Sequence, residues 1–393
     1  MLRRHRRHAH RGGHQGPCPG RRVAQPRLRR RHQHLLNGPL TLQRGDRVLV
    51  TGATGFVGSA VTRALVQDGR HVVALVEEGA DARNLDGLEV EQVRGDVRDP
   101  AAVRSAVNGC QAVFHVAALY RFWAREPRDF YEINVDGTRN VLDAARAAGT
   151  GKVVFTSSVG TLGLEAAGGR AANELAYPDL RHLFGAYKRS KYVAEHEALR
   201  AAAEGLPLSI VQPTFPLGPG DRAPTPTGRF VLDYLQGRIP GYVDTVLNVA
   251  HVDDVGRGHV LALERGRPGR SYILGGENLP LREVLSELAA LTGLRQPAFR
   301  VPAALALAAA RVSETLEGSL LRRHPTIPLE ATRMSTTRMA YDDSRARREL
   351  GYSPRPAAEA IEASVRWFVE NGYLSPRRQA KITWGPSPAP TPG

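Results

Sequence analysis

RVLVTGATGFVG, residues 47–58, joins an apolar run to a turn punctuated by three glycines. Val48, Leu49 and Val50 have the unbroken apolar character of a strand buried on both faces. The apolar positions that follow fall at helical spacing, with Val57, Val61 and Leu65 on one side. A strand, a tight turn and a helix start together make a phosphate cradle. Gly52 permits the turn, Gly55 lets the backbone approach a pyrophosphate, and Gly58 lets the helix lie close to the strand. The unpaired N–H groups and positive dipole end of the helix then face the anion. Three glycines are weak evidence in a chain with 40 of them. Their position between a strand and a helix is what points to a nucleotide.

The chain has 393 residues, of which 42% are hydrophobic and 24% charged, a balance that suits a soluble globular protein with a large core. Its net charge of +15 is concentrated at one end. Residues 1–45 hold 12 arginines and no acid, which leaves +3 for the rest. The folded part therefore lacks the charge of a nucleic-acid-binding domain. The basic segment has no apolar period and no secretory core, and it is expected to be a disordered tail. With only two cysteines, Cys18 and Cys110, neither a disulfide framework nor a paired-cysteine metal site is available, and a cytoplasmic location is expected. The most apolar helical run, Pro302 to Val312, is too short to cross a bilayer.

Strands are expected at 71–78, 88–93, 111–118, 152–158 and 206–213, with helices at 100–109, 130–148 and 187–203 between them. This alternation predicts an α/β fold, a doubly wound parallel sheet whose ligands sit outside the carboxyl ends of the strands. Beyond Pro213 the pattern loosens into a Pro/Gly-rich loop (218–228) and helices near 280–292, 302–321 and 356–372. Residues 214–374 are read mainly as a smaller substrate-capping lobe, 46–213 as the dinucleotide-binding domain, and 375–393 as a proline-rich disordered tail.

Glu77, 25 residues past Gly52, ends the second strand. An acid there accepts hydrogen bonds from the adenosine ribose and repels a 2′-phosphate, which favours NAD over NADP. Arg83 is near enough in sequence to reach a 2′-phosphate, so NADP stays the alternative. Asp96, after the third strand, suits the adenine amino group or a helix cap. Tyr187-Lys-Arg-Ser-Lys191 puts a phenol and an ammonium on one helical face. A nearby cation favours phenolate and would bring Tyr187 into range for proton transfer. Ser158, with Thr156 and Ser157 as adjacent alternatives, ends the fifth strand and could bind the same substrate oxygen. Tyr120 and Trp123 follow the fourth strand and could line a substrate cleft. Asp253 and Asp254 read as helix caps, and no set of side chains has metal-ligand spacing.

TGATGFVG, GDVRD, HVAA, INVDGT, TSS and YKRSK occur in the order of the extended short-chain dehydrogenase/reductase (NAD-dependent epimerase/dehydratase) family, which residues 46–374 resemble. A closer resemblance, carried by AALYRFWA, GPGDRAPTPTGRF, YVDTVLNVAHVDDV and YILGGENL, is to the hopanoid-associated sugar epimerase group. The resemblance implies a Rossmann-type fold, with Tyr187 as acid/base, Lys191 on the nicotinamide ribose and Ser158 orienting the substrate. It implies cofactor contacts from Gly52, Thr54, Gly55, Phe56, Val57, Gly58, Glu77, Asp96, Val97, Val116, Ala117, Ala118, Lys191, Pro213 and Thr214. Asn134 would structure the site. Gln212 replaces the asparagine usual in that group, and Glu77 an arginine. The expected activity is NAD(P)-dependent epimerisation or oxidoreduction of a secondary alcohol or ketone, such as that of a nucleotide sugar, by a cytoplasmic enzyme that needs no metal and could pair as a homodimer. The alternatives are a ketone reductase resembling dihydroflavonol or sterol enzymes, and a non-catalytic nucleotide sensor.

Overall fold

A computed structural model describes residues 42–385 except 125, 164–169, 177, 179–182 and 322. The apolar run forms β1 (Arg47–Thr51), and the glycine turn opens α1 (Phe56–Gln67). Then come β2 (His71–Val76), β3 (Val90–Arg94), α2 (Pro100–Val107) and β4 (Ala112–His115). A short α3 (Arg128–Tyr131) leads through a π-type turn (Glu132–Asp136) into α4 (Gly137–Ala148). β5 (Lys152–Thr156), α5 (Gly185–Ala203) and β6 (Leu208–Pro213) complete the alternation read from the sequence.

The main sheet has seven parallel strands in spatial order β3-β2-β1-β4-β5-β6-β10, where β10 is Ser271–Leu274. Strand order reverses between β1 and β4, the crevice where doubly wound sheets bind ligands. Thr51 lies beside His115 in this register, so the glycine turn and the segment after β4 open side by side. Apolar side chains cover both faces of the sheet, and two separate core clusters sandwich it.

The remaining elements build the lobe and one edge of the sheet. They are β7 (Phe215–Leu217), α6 (Pro226–Leu235), β8 (Gly241–Tyr242), β9 (Val246–His251), α7 (Val252–Arg265), β10 (Ser271–Leu274) and β11 (Glu277–Pro280). After them come α8 (Leu281–Thr292), β12 (Phe299–Arg300), α9 (Ala303–Ser313), α10 (Leu329–Ser335), α11 (Ser344–Leu350), α12 (Ala357–Glu370) and α13 (Pro376–Gln379). A boundary at Pro213 does not divide these elements cleanly. β10 is the seventh strand of the main sheet, and α7 packs on it beside α1. The two helices approach so closely that a Cβ on Gly256 would stand 2.6 Å from the carbonyl oxygen of Ala60.

Two expected tails also differ. Leu42 is buried against the sheet core, so the structured part begins before residue 46; residues 1–41 lie outside the described residues. At the other end, Thr383 and Gly385 donate their N–H groups to the carbonyls of Thr292 and Leu291, and Arg366 stacks over Trp384. The free carbonyls at the end of α8 thus gain partners, which orders 375–385; residues 386–393 lie outside the description.

Gly256→Val should force α1 and α7 apart and cost about 1–3 kcal/mol of stability. Urea denaturation of the two proteins measures it, and an unchanged midpoint would refute the close approach.

Candidate active site

The glycine turn meets each steric demand read from its spacing. Gly52 has φ +70°, and a Cβ there would lie 2.7 Å from Ala117 backbone atoms. A Cβ on Gly58 would come within 1.9 Å of the Gly52 carbonyl oxygen. A Cβ on Gly55 would meet only that oxygen, at 3.3 Å, so its outer side is open. Phe56 turns inward onto Ala60 and Val252 and fixes the start of α1.

A relay of hydrogen bonds joins this turn to α5. Thr51 Oγ1 accepts the Ala117 N–H and lies 2.8 Å from His115 Nδ1. His115 Nε2 lies 3.0 Å from Thr138 Oγ1, whose proton goes to the Asn134 carbonyl. Thr138 must therefore accept from the ring, which assigns the neutral tautomer protonated at Nε2. Burial, with Lys191 nearby, pushes the His115 pKa down to about 3. Asn134 holds both the N–H and the C=O of Leu119 and donates to Ser190, which donates to the Tyr187 carbonyl.

Tyr187 lies at the start of α5, buried, with Ser158 hydrogen-bonded to its phenol. Ser158 Oγ also accepts the Gly160 N–H at 3.0 Å. The neighbouring hydroxyls point elsewhere: Thr156 bonds His259, and Ser157 bonds Glu195. The phenol pKa lies above its ordinary value of 10.0, chiefly through burial. The Ser158 hydrogen bond lowers it in part, and Glu330 adds to the rise. The Lys191 ammonium donates to the Thr156 carbonyl at 2.7 Å and sits 4.9 Å from the Phe155 ring. Burial lowers the Lys191 pKa to about 8 while Glu195 raises it in part.

Tyr187, Ser158, Tyr120 and Thr214 open on one cavity, which Phe122, Phe215, Phe230, Leu247, Met334 and Met339 wall with apolar surface. Lys188 is the only charged residue on its lining among the described residues. Tyr120 packs with its ring centroid 4.8 Å from that of Tyr187. Trp123 packs edge-on to His324 at 5.6 Å and is not on the cavity lining. Thr214 follows Pro213 at the end of β6, and its buried Oγ1 lacks a hydrogen-bond partner.

Glu77 is exposed at the end of β2, 3.6 Å from Arg98, whose guanidinium also grips Asp96 in three hydrogen bonds. Arg83 is held by Asp81 instead. Val97 packs on Gly137 below, while Val116 and Ala117 line the crevice beside the glycine turn. Asp254 binds Arg355, and Asp253 binds Arg63.

Three residues missed in the sequence shape this site. Arg98 lies in the GDVRD stretch. Glu195 follows Lys191 by one turn, and its carboxylate gathers Ser157, Thr161 and Gln212. Its spacing from Lys191 was a readable signal. Glu330, on α10, packs against Gly185 and accepts the Lys188 N–H, while its Oε1 has no partner. Burial pushes its pKa to about 8, and nothing in the local sequence marks it.

The chain matches the NAD dependent epimerase/dehydratase family over residues 48–275. A Synechocystis sp. protein with the provisional name dihydroflavonol 4-reductase is 42% identical, across 84% of this chain and 96% of that one. Sterol demethylase protein B of Methylococcus capsulatus is 35% identical, across 83% and 99%. The crystal structure of a nucleoside-diphosphate-sugar epimerase from Pseudomonas aeruginosa superposes with a TM-score of 0.70 at 27% identity, across 84% and 99%. The protein belongs to the NAD dependent epimerase/dehydratase family, the extended short-chain dehydrogenases/reductases, and is an enzyme.

Glu330 titrates above the ordinary 4.5 of a glutamate, so the folded state holds its proton more tightly than the unfolded chain. Its contribution to stability is full below pH 4.5 and falls as pH rises to about 8. Glu330→Gln should therefore melt progressively higher than wild type across that window. A constant difference in melting temperature would refute the assignment.

Proposed function

We propose that the protein is a nicotinamide-dependent oxidoreductase that interconverts a ketone and a secondary alcohol on an apolar molecule, running as a reductase. The observation that carries this reading is the cavity: the Ser158 and Tyr187 hydroxyls open on a space walled largely by Phe122, Phe215, Phe230, Leu247, Met334 and Met339, with uncharged polar groups such as Thr227 and Asn248 among them. A nucleoside diphosphate outside the helix N-terminus that holds the cofactor's pyrophosphate is commonly gripped by Arg or Lys side chains. The lining offers Lys188 alone, a buried amine whose pKa burial lowers. Dihydroflavonol and sterol, the compounds in two relatives' names, are ring molecules with little charge and suit such a wall. The sugar-epimerase alternative has its support in the sequence resemblance and in the Pseudomonas neighbour.

A dinucleotide fits the residues present. The open side of Gly55 admits a pyrophosphate, and the unpaired Thr214 hydroxyl offers a bond at the carboxamide end. Glu77 would take the adenosine ribose, with Asp96 and Val97 beside the adenine, which favours NAD. Gly52, Thr54, Phe56, Val57 and Gly58 would shape the diphosphate cradle; Val116, Ala117, Ala118 and Pro213 would line the rest, and Lys191 would bind the nicotinamide ribose. When bound, the nicotinamide supplies or accepts hydride at the carbinol carbon.

Ser158 would hydrogen-bond the substrate oxygen, and Tyr187 would give it a proton. A phenol that burial keeps protonated is suited to donate to a developing alkoxide, which is the direction of reduction. Tyr120 would stack beside the ring that carries that proton.

Purified enzyme should consume NADH in step with reduction of a dihydroflavonol or a 3-ketosteroid. Tyr187→Phe should lower kcat by about 100-fold or more while NADH fluorescence titration stays unchanged. Isomer formation from a nucleotide sugar without net cofactor consumption would overturn the reductase assignment. NADH should also bind about tenfold tighter than NADPH, and Glu77→Ser should narrow that gap. Equal affinities in wild type would put Glu77 outside the ribose site.

A further inference from the structure

Between β12 and α10 the chain forms α9, which runs on through a π-type turn over Glu314–Leu320. Across Ala303–Leu320 only Ala310 is buried. Leu305, Val312, Leu316, Leu320 and Leu321 are 61%, 58%, 51%, 70% and 60% exposed. Lone exposed leucines are ordinary, whereas a contiguous set marks an interaction surface. Val312, Leu316, Leu320, Leu321 and Ile327 line one shallow groove, so the set is contiguous.

Charge narrows the choice of occupant. Residues 295–323 contain five arginines and two glutamates; Arg300 pairs with Asp244 and Arg323 with Glu317. Both glutamates are engaged by the protein. Glu314 accepts the Leu329 N–H, and Glu317 accepts from Ser313, Thr326 and Arg323. Arg311 is exposed, about 100° round the helix from Val312. Exposed apolar side chains beside a cation such as Arg311, in a segment whose arginines outnumber its acids, are the pattern of a helix that lies in the interface of an anionic bilayer. A second copy on a two-fold axis would instead bring these arginines against one another. No helix among the described residues is long and apolar enough to cross a membrane, so the segment would lie on the surface.

The patch is also linked to the cavity wall through α10. The Glu314–Leu329 hydrogen bond ties it to α10, whose Ala331, Met334 and Ser335 line the cavity wall. We propose that residues 303–321 dock on an anionic membrane surface and set α10 at the lipid boundary, so that an apolar substrate enters from the bilayer. The docking itself does not depend on the reductase reading. The route of entry does.

Flotation of the full chain with vesicles tests it. The protein should bind phosphatidylcholine vesicles that contain phosphatidylglycerol, more weakly as salt rises, and bind pure phosphatidylcholine poorly. L316E/L320E should partition about tenfold less or worse. Its melting temperature, NADH binding and turnover of a water-soluble ketone should match wild type; Leu305→Asp is the second variant if the double one does not fold. Equal flotation of wild type and variant would assign the binding to the basic residues 1–45 and overturn the proposal. Absence of vesicle binding would also overturn it, as would a dimer in sedimentation velocity that the substitutions dissociate. Vesicle binding with no ketone reduced would leave docking intact and reject the reductase reading alone.

Discussion

A neutral imidazole held between two threonine hydroxyls is the contact on which the site depends. His115 ends β4, Thr51 ends β1, and Thr138 belongs to α4. A second proton on the ring would put a charge in a fully buried position beside Lys191, and both burial and that ammonium oppose it. The ring therefore stays neutral across the ordinary pH range and its donor and acceptor keep their places. Three elements are thereby locked at the crevice where strand order reverses. Through Asn134 and Ser190 the same relay reaches the backbone of Tyr187, so the glycine turn and the phenol share one rigid frame.

Around that frame the site is poor in net charge. Lys191 is balanced by Glu195, and the buried carboxyl of Glu330 favours its proton up to about pH 8. Such an interior holds hydroxyl groups in fixed directions without a strong field of either sign.

The order of the first six strands and the helices between them was legible because apolar runs and glycine turns are local signals. The Tyr187/Lys191 pair was legible for the same reason, since it lies within one helical turn. The cavity wall was not. Phe122, Phe215, Phe230 and Met334 come from four separate segments, and only folding brings them to Ser158. Sequence spacing reports that a lysine is near the phenol but not where its ammonium points. Lys191 finds a better acceptor in the carbonyl at the end of β5. Trp123 followed a strand end, as a cleft residue would, yet its ring packs on His324. Seventh-strand membership of 271–274 was hidden by its shortness and by the irregular chain around it.

That late strand has an architectural consequence. Residues 252–274 cross back into the nucleotide half, where Gly256 seats α7 against α1, the helix that follows the glycine turn. The chain thus weaves its two halves together rather than joining them at a seam. Exchanging specificity between such enzymes would require moving 214–251 and the stretch after 275 as separate inserts, while the ribbon between them stays with its host.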